Sequence, residues 1–146
     1  MKRHEKLIPL SREHHKMLLL AQLLKKDAPA YRGMPALLPE KLHYAVHTYK
    51  SLIIDHFHRE EIYLFPVIKS VSVADELVTE LEAEHQQIKS RFDKILNGFV
   101  HDKENVHNLA LLLESHVRKE ERQLFQIVQN ELPFHLLDKL NLTRIE

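Results

Sequence analysis

HFHREEIYLF, at residues 56–65, is nearly repeated as HVRKEERQLF, at residues 116–125. Each stretch opens with a histidine, carries a glutamate four positions later and ends on Leu-Phe. Residues four apart lie on the same face of an α-helix, so each stretch would present an imidazole and a carboxylate together. The pairs are His56 with Glu60 and His116 with Glu120. The repeat predicts two helices that carry the same polar pair.

Four segments of the chain have apolar residues at three- and four-residue steps, which is typical of helices that bury one face. Only two glycines occur, which favours an all-α chain. The predicted helices run from about Ser11, as N-cap, to Asp27, from Pro39 to Ser70, from Val73 to Gly98, and from Lys103 to Glu131. The tail FHLLDKLNL, residues 134–142, is predicted to add one turn of helix across an end.

The seam that these steps define contains polar residues in all four helices. Its members are Leu10, His14, Met17, Ala21 and Leu24; Leu42, Ala45, Tyr49, Ile53, His56, Glu60 and Val67, with Tyr63 and Leu64 beside them; Val78, Leu81, His85, Ile88, Phe92, Ile95 and Phe99; and Val106, Leu109, Leu113, His116, Glu120 and Ile127. Short connections favour antiparallel neighbours, so we predict an up-down-up-down four-helix bundle with a short C-terminal tail. The order EHH then HFHREE, and EHQ then HVRKEE, indicates a duplicated helical pair.

Composition excludes several classes of protein. A chain of 146 residues suits one domain, residues 1–146. The 21 basic residues balance the 21 acidic ones, so we expect neither a nucleic-acid nor a membrane-surface partner. The absence of cysteine excludes thiolate metal sites and cysteine nucleophiles. We find no signal peptide or membrane span in the sequence and expect a cytoplasmic location.

Two glutamates on a buried seam require positive charge nearby, because burying an unpaired carboxylate costs several kcal/mol or more. Arg59, Arg118 and Lys119 lie next to the seam rather than on it, which favours a metal cation as the partner. Four imidazoles and two carboxylates exceed what one tetrahedral ion requires, so the count favours two ions. A set of nitrogen and oxygen donors suits iron better than a lone structural zinc.

These repeated motifs, with EEIYLFP after His56 and EERQLF after His116, resemble the hemerythrin-like (HHE cation-binding) domain family. The resemblance covers about residues 10–132 and implies a four-helix bundle that holds a non-haem di-iron centre. Ferritin-like bundles differ, because their motif is Glu-x-x-His. Carried over position by position, the resemblance implies six metal ligands, namely His14, His56, Glu60, His85, His116 and Glu120. It further implies two iron ions bridged by Glu60, Glu120 and an oxo or hydroxo group.

The chain departs from the oxygen-carrying members at Lys89, where they offer a second histidine on the third helix. Other residues near the seam could restore the ligand count or support a ligand. These candidates are His15, Glu82, Tyr49 and Tyr63. For the first helix we favour His14 over His15, because His14 shares a face with the apolar seam. We interpret His43, His47 and His58 as a solvated face. Glu61 and Glu121 lie about 100° around the helix from the ligand seam, so we expect them either to support a ligand or to be solvated.

Three functions are consistent with this site. The leading hypothesis is a di-iron protein that binds O2 or NO for sensing, storage or detoxification. Because the missing histidine leaves more than one position open, a di-iron oxidoreductase or iron donor in peroxide or nitric-oxide stress and iron–sulfur repair is the alternative. The third hypothesis is a helical interaction module with a structural metal. The sequence leaves enzymatic turnover and the oligomeric state open.

Overall fold

The computed structural model describes residues 2–144, in which all regular secondary structure is helical. The helical elements are α1 (Ile8–Leu24), α2 (Leu38–Thr48), a π-helical segment (Tyr49–Ile53), α3 (Ile54–Arg59), a second π segment (Glu60–Leu64), α4 (Phe65–Val71), α5 (Asp75–Leu96), α6 (Lys103–Lys119), a third π segment (Glu120–Leu124), α7 (Phe125–Glu131) and α8 (Phe134–Leu137). Several elements join without a break. The long helical runs are therefore residues 8–24, 38–71, 75–96 and 103–131, which we call the first to fourth runs. Within residues 2–144, no helix has both the length and the apolar character needed to cross a membrane.

Local sequence explains three of the helix ends in residues 2–144. Pro9 lies in the first turn of α1, where its missing N–H costs nothing. The first helix therefore begins at Ile8, and the predicted N-cap at Ser11 is wrong. Asp102 caps α6 by accepting a hydrogen bond from the backbone N–H of Asn105 over 3.0 Å. Gly98 follows α5 with a φ of 77°, which supports its predicted role in the C-terminal cap.

The predicted seam is buried along most of its length. The prediction is wrong after Glu60 and after Glu120, where π-helical segments begin. A π turn contains an extra residue, so the buried face moves by about one position along the sequence. After Glu60 the buried residues are Leu64, Phe65 and Ile68 rather than Val67, and Tyr63 is 44% exposed. After Glu120 they are Leu124, Phe125 and Val128 rather than Ile127. Leu42 is only half-buried, and Phe99 is 79% exposed because it lies beyond the end of α5.

Within the described residues, the buried apolar side chains form two clusters. The first cluster contains Met17, Ile53, Phe57, Ile88 and Leu113 among others, and the second contains Leu10, Leu64, Leu81, Leu124 and residues of the C-terminal tail. α1 packs along α6, and α5 contacts α2, α4 and α6. Each long run passes from one cluster to the other and carries buried polar residues where it crosses.

Candidate metal centre

Seven polar residues are buried within residues 2–144, namely Arg59 and the six that the sequence singles out as ligands. The exposures of those six residues are 1% for His14 and 0% for His56, Glu60, His85, His116 and Glu120. The first and third runs each supply one histidine, while the second and fourth each supply a histidine and a glutamate. The structure thus brings together polar groups from all four long runs.

In the part of the chain that the structure describes, the six ligand candidates form two groups that could each hold a metal ion. The first donor group is His14, His56, Glu60 and Glu120, and the second donor group is Glu60, His85, His116 and Glu120. Within each group, one nitrogen or oxygen from every residue lies within 4.8 Å of the others. Glu60 and Glu120 belong to both groups. Two neighbouring ions would therefore share both carboxylates.

The ring nitrogens that face inward are the Nε2 atoms. Nε2 of His14 lies 3.0 Å from Oε2 of Glu120, and Nε2 of His116 lies 2.9 Å from Oε1 of the same residue. Nε2 of His85 lies 3.1 Å, and Nε2 of His56 3.5 Å, from Oε1 of Glu60. Each glutamate therefore contacts imidazoles of both donor groups, as a carboxylate shared between two ions must.

Despite these short nitrogen–oxygen distances, several of the inward atoms make no hydrogen bond within residues 2–144. They are both carboxylate oxygens of Glu60 and of Glu120, and Nε2 of His85 and His116. Buried polar atoms are almost always paired, because leaving a charged one unpaired costs several kcal/mol. A pair of divalent or trivalent cations would satisfy all of them, and this mixed nitrogen and oxygen set is one that iron accepts. The residues present therefore fit a di-iron centre.

A carboxylate from a neighbouring helix holds the outer nitrogen, Nδ1, of every buried histidine. The Nδ1–oxygen distances are 2.7 Å for His14 with Glu121, 2.8 Å for His56 with Glu13, 3.3 Å for His85 with Glu61 and 2.8 Å for His116 with Glu84. Such a carboxylate keeps the proton on Nδ1 and leaves Nε2 free as a metal donor. We call the four outer residues the supporting glutamates.

Each supporting glutamate in turn contacts a cation. The pairs are Glu121 with Arg3, Glu13 with Arg59, Glu61 with Lys89 and Glu84 with Lys119. These contacts lower the pKa of all four carboxyls. Burial would raise the pKa of Glu13, Glu84 and Glu121, but their hydrogen bonds to histidine and the nearby cations outweigh it. For Glu61 the hydrogen bond to His85 is the largest effect and lowers the pKa. The four outer glutamates therefore have cation partners within the protein. Glu60 and Glu120 are the carboxylates that a metal ion could bind.

Aromatic rings close the site and explain the repeated Leu-Phe. Phe125 stacks on His14 and Phe65 on His85, each with ring centroids 5.5 Å apart. Phe57 stacks more closely on His85, at 3.8 Å between centroids. These rings are buried and keep water from the imidazoles, which strengthens electrostatic interactions inside.

His14 and His85 are expected to be protonated at neutral pH when no metal is bound. Burial lowers the pKa of His14 and of His85, but the neighbouring glutamates outweigh it and raise these values to about 10 and about 11. In the absence of metal, this protonation therefore stabilises the fold below the ordinary histidine pKa, and the contribution is lost as the pH rises through 10 to 11.

Metal binding must displace these protons. We expect ferrous loading at pH 7 to release about two or more protons per chain, and the apparent affinity to rise with pH. Nitrogen NMR of the imidazoles, with pH-indicator titrations, measures both effects. Neutral His14 and His85 rings in the metal-free protein at pH 7 would contradict this expectation.

The four reserve candidates lie away from the cluster. His15 is exposed, and Tyr63 is 44% exposed. Glu82 pairs with Lys69 over 2.7 Å. Tyr49 is buried but donates its hydroxyl to Asp93 over 3.1 Å and stacks on Phe92. These four side chains lie away from the donor groups because they project from helix faces that point outward or toward the first apolar cluster.

Sequence reasoning missed the supporting role of two residues. Glu13 and Glu84 directly precede His14 and His85, and the repeated Glu-His dipeptide was a visible signal. Arg59 and Lys119 lie beside the seam, as the sequence predicts, and each contacts a supporting glutamate there. Lys89 lies 3.6 Å from Glu61 and so adds a charge, not a donor atom, to this part of the site.

Comparison with known families agrees with this geometry. A family model described as the hemerythrin HHE cation binding domain matches residues 9–128. No curated protein and no solved structure matched the chain.

Proposed function

The chain belongs to the hemerythrin HHE cation-binding domain family, and from that premise we propose that it is a non-haem di-iron protein that binds O2 or NO for sensing, storage or detoxification. The observation that carries the proposal is the pair of buried donor groups that share Glu60 and Glu120. In this proposal the six buried side chains would hold two irons, and Glu60 and Glu120, together with an oxo or hydroxo group, would be shared between them.

We further propose that the four long runs form an up-down-up-down antiparallel bundle within one domain. The order of the two clusters along the chain supports this topology. α1 passes from the second cluster at Leu10 to the first at Met17, and the second run passes back from Ile53 to Leu64. The third and fourth runs repeat this alternation. Successive runs would therefore point in opposite directions.

Each donor group offers four protein ligand atoms, fewer than the six that iron commonly takes. Iron bound there would supply an open coordination position and electrons to a diatomic molecule. The protein's part is to aim four Nε2 atoms inward through the supporting glutamates, and to exclude water with Phe57, Phe65 and Phe125. A small apolar molecule such as O2 or NO suits such an enclosed site.

A second candidate function is reduction of peroxide or nitric oxide, or donation of iron for cluster repair. Lys89 favours it, because this side chain pairs with Glu61 instead of adding a ligand to the second donor group. Compared with a site that has a histidine at this position, the metal ion would have one more open coordination position, which could bind a second reactant. Repeated turnover of peroxide or NO, lost in Glu60→Ala, would select this candidate.

Anaerobic loading with ferrous iron, followed by optical spectra before and after O2 or NO, tests the leading proposal. We expect a ligand-dependent absorption band in the intact chain and in His15→Ala, and loss of that band in His14→Ala. The two histidines are adjacent on α1, but only His14 is buried. Bound iron without any ligand-dependent band would instead favour a structural metal.

A further inference from the structure

We propose that the two metal positions hold iron unequally: the first donor group, supported by arginines, retains its ion, whereas the second, supported by lysines, releases and regains its ion readily. This inference rests on the proposed function, because it requires iron in both groups. It makes the position at His85 and His116 the exchangeable one.

Arg59 fixes the support of His56. The guanidinium donates from Nη2 to both oxygens of Glu13, over 2.6 and 2.7 Å. It also donates from Nη1 to the carbonyl of Leu142 and from Nε to Asp55, over 2.7 and 2.8 Å. The Arg59 side chain is only 4% exposed. Glu13, and with it the imidazole, is therefore held in one arrangement.

Arg3 has the corresponding role for His14. It donates from Nη2 to Oε1 and to the backbone carbonyl of Glu121, over 3.2 and 3.1 Å, and its guanidinium lies over the ring of Phe125. Ser11 donates its hydroxyl to the same carboxylate over 2.8 Å. Several bonds from fixed directions thus hold this supporting glutamate as well.

The second donor group has looser supports. Lys119 contacts Glu84, but it also lies 2.6 Å from Glu80, whose side chain is 56% exposed. Lys89 is 29% exposed and lies 3.6 Å from Glu61. Glu61 makes the longest of the four contacts to a histidine, at 3.3 Å. The ammonium of Lys89 is thus partly hydrated, and that of Lys119 is shared with a carboxylate near the surface.

The chemistry of arginine and lysine explains why the first donor group would hold its ion more tightly than the second. A guanidinium is planar and donates along several fixed directions, whereas an ammonium on a flexible stem competes with water. Groups that orient a ligand from outside commonly change metal affinity about 10–100-fold. Arg59 and Lys119 occupy the same position of the repeat, in HREE and RKEE. Each residue can therefore be replaced by its counterpart.

Ferrous release to an excess of coloured chelator, followed without oxygen, tests the proposal. We expect two phases of equal amplitude whose rates differ by about tenfold or more. Lys119→Arg should slow the fast phase, and Arg59→Lys should speed the slow phase, each with little change in the other. Arg118→Lys is the matched control and should change neither phase, because Arg118 is 41% exposed and contacts no supporting glutamate within residues 2–144. Melting curves verify that each variant folds.

The possible outcomes separate the two claims. A single phase for both ions, or variants that change both phases equally, would overturn the inequality and leave the di-iron proposal intact. Failure to bind two ions would overturn the proposed function itself. Should Arg59→Lys not fold, Lys119→Arg and Lys89→Arg still decide the matter, because unchanged fast phases in both contradict the proposal.

Discussion

Glu60→Ala and Glu120→Ala are each expected to lower the iron content from two ions per chain to less than about one, because each carboxylate belongs to both donor groups. Each substitution also removes half of the inner negative charge that attracts the cations. A histidine variant such as His116→Ala removes a donor from one group only, so we expect it to retain about one ion. Elemental analysis after anaerobic loading measures both.

Glu82→Ala is the matched control for these variants. Glu82 is a glutamate on the third run, but it pairs with Lys69 at the surface and belongs to neither donor group. The iron content of the Glu82→Ala variant should equal that of the unmodified chain. Full iron content in Glu60→Ala would show that the glutamates are not shared ligands.

Removal of iron is expected to cost the fold much of its stability. An ion that binds only the folded chain stabilises it by about 4 kcal/mol when the free ion is a thousandfold above its Kd. For a chain of this size, that loss corresponds to a fall in Tm of about 10 °C or more. Protonated His14 and His85 offset part of the loss in the metal-free protein, because their Nε2 atoms lie 3.0 Å from Glu120 and 3.1 Å from Glu60.

Thermal unfolding with and without a strong chelator measures this effect. The double variant Glu60→Ala and Glu120→Ala is the control, because it lacks both the shared ligands and the buried charges that require metal. Its Tm should be insensitive to the chelator. An unchanged Tm for the unmodified chain would favour a helical module whose histidines are structural.

The sequence predicts the inward polar groups well, because they recur at helical spacing in otherwise apolar segments. His14 and His85 share the seam with Leu10 and Leu81, and each is buried. Which residues are buried after Glu60 and after Glu120 could not be predicted in the same way. The π segments that begin at Glu60 and Glu120 move the seam by about one residue, and no spacing rule marks where such a turn will form.

The outer contacts could be predicted only in part. Which carboxylate reaches which Nδ1 depends on the rotation of one helix against another. For this reason Glu121 bonds to His14 across the α1 and fourth-run interface, although it follows Glu120 in sequence. Sequence alone does not identify Glu13 or Glu84 as supports, and each of them serves the histidine of another run.

The Mössbauer spectrum of the chain loaded anaerobically with enriched iron, recorded before and after oxidation, tests the central claim most directly. We predict two ions per chain that become one spin-coupled ferric pair on oxidation, because two ions joined by shared carboxylates interact magnetically. Isolated ferric ions without coupling, or no more than one ion per chain, would contradict a shared di-iron centre.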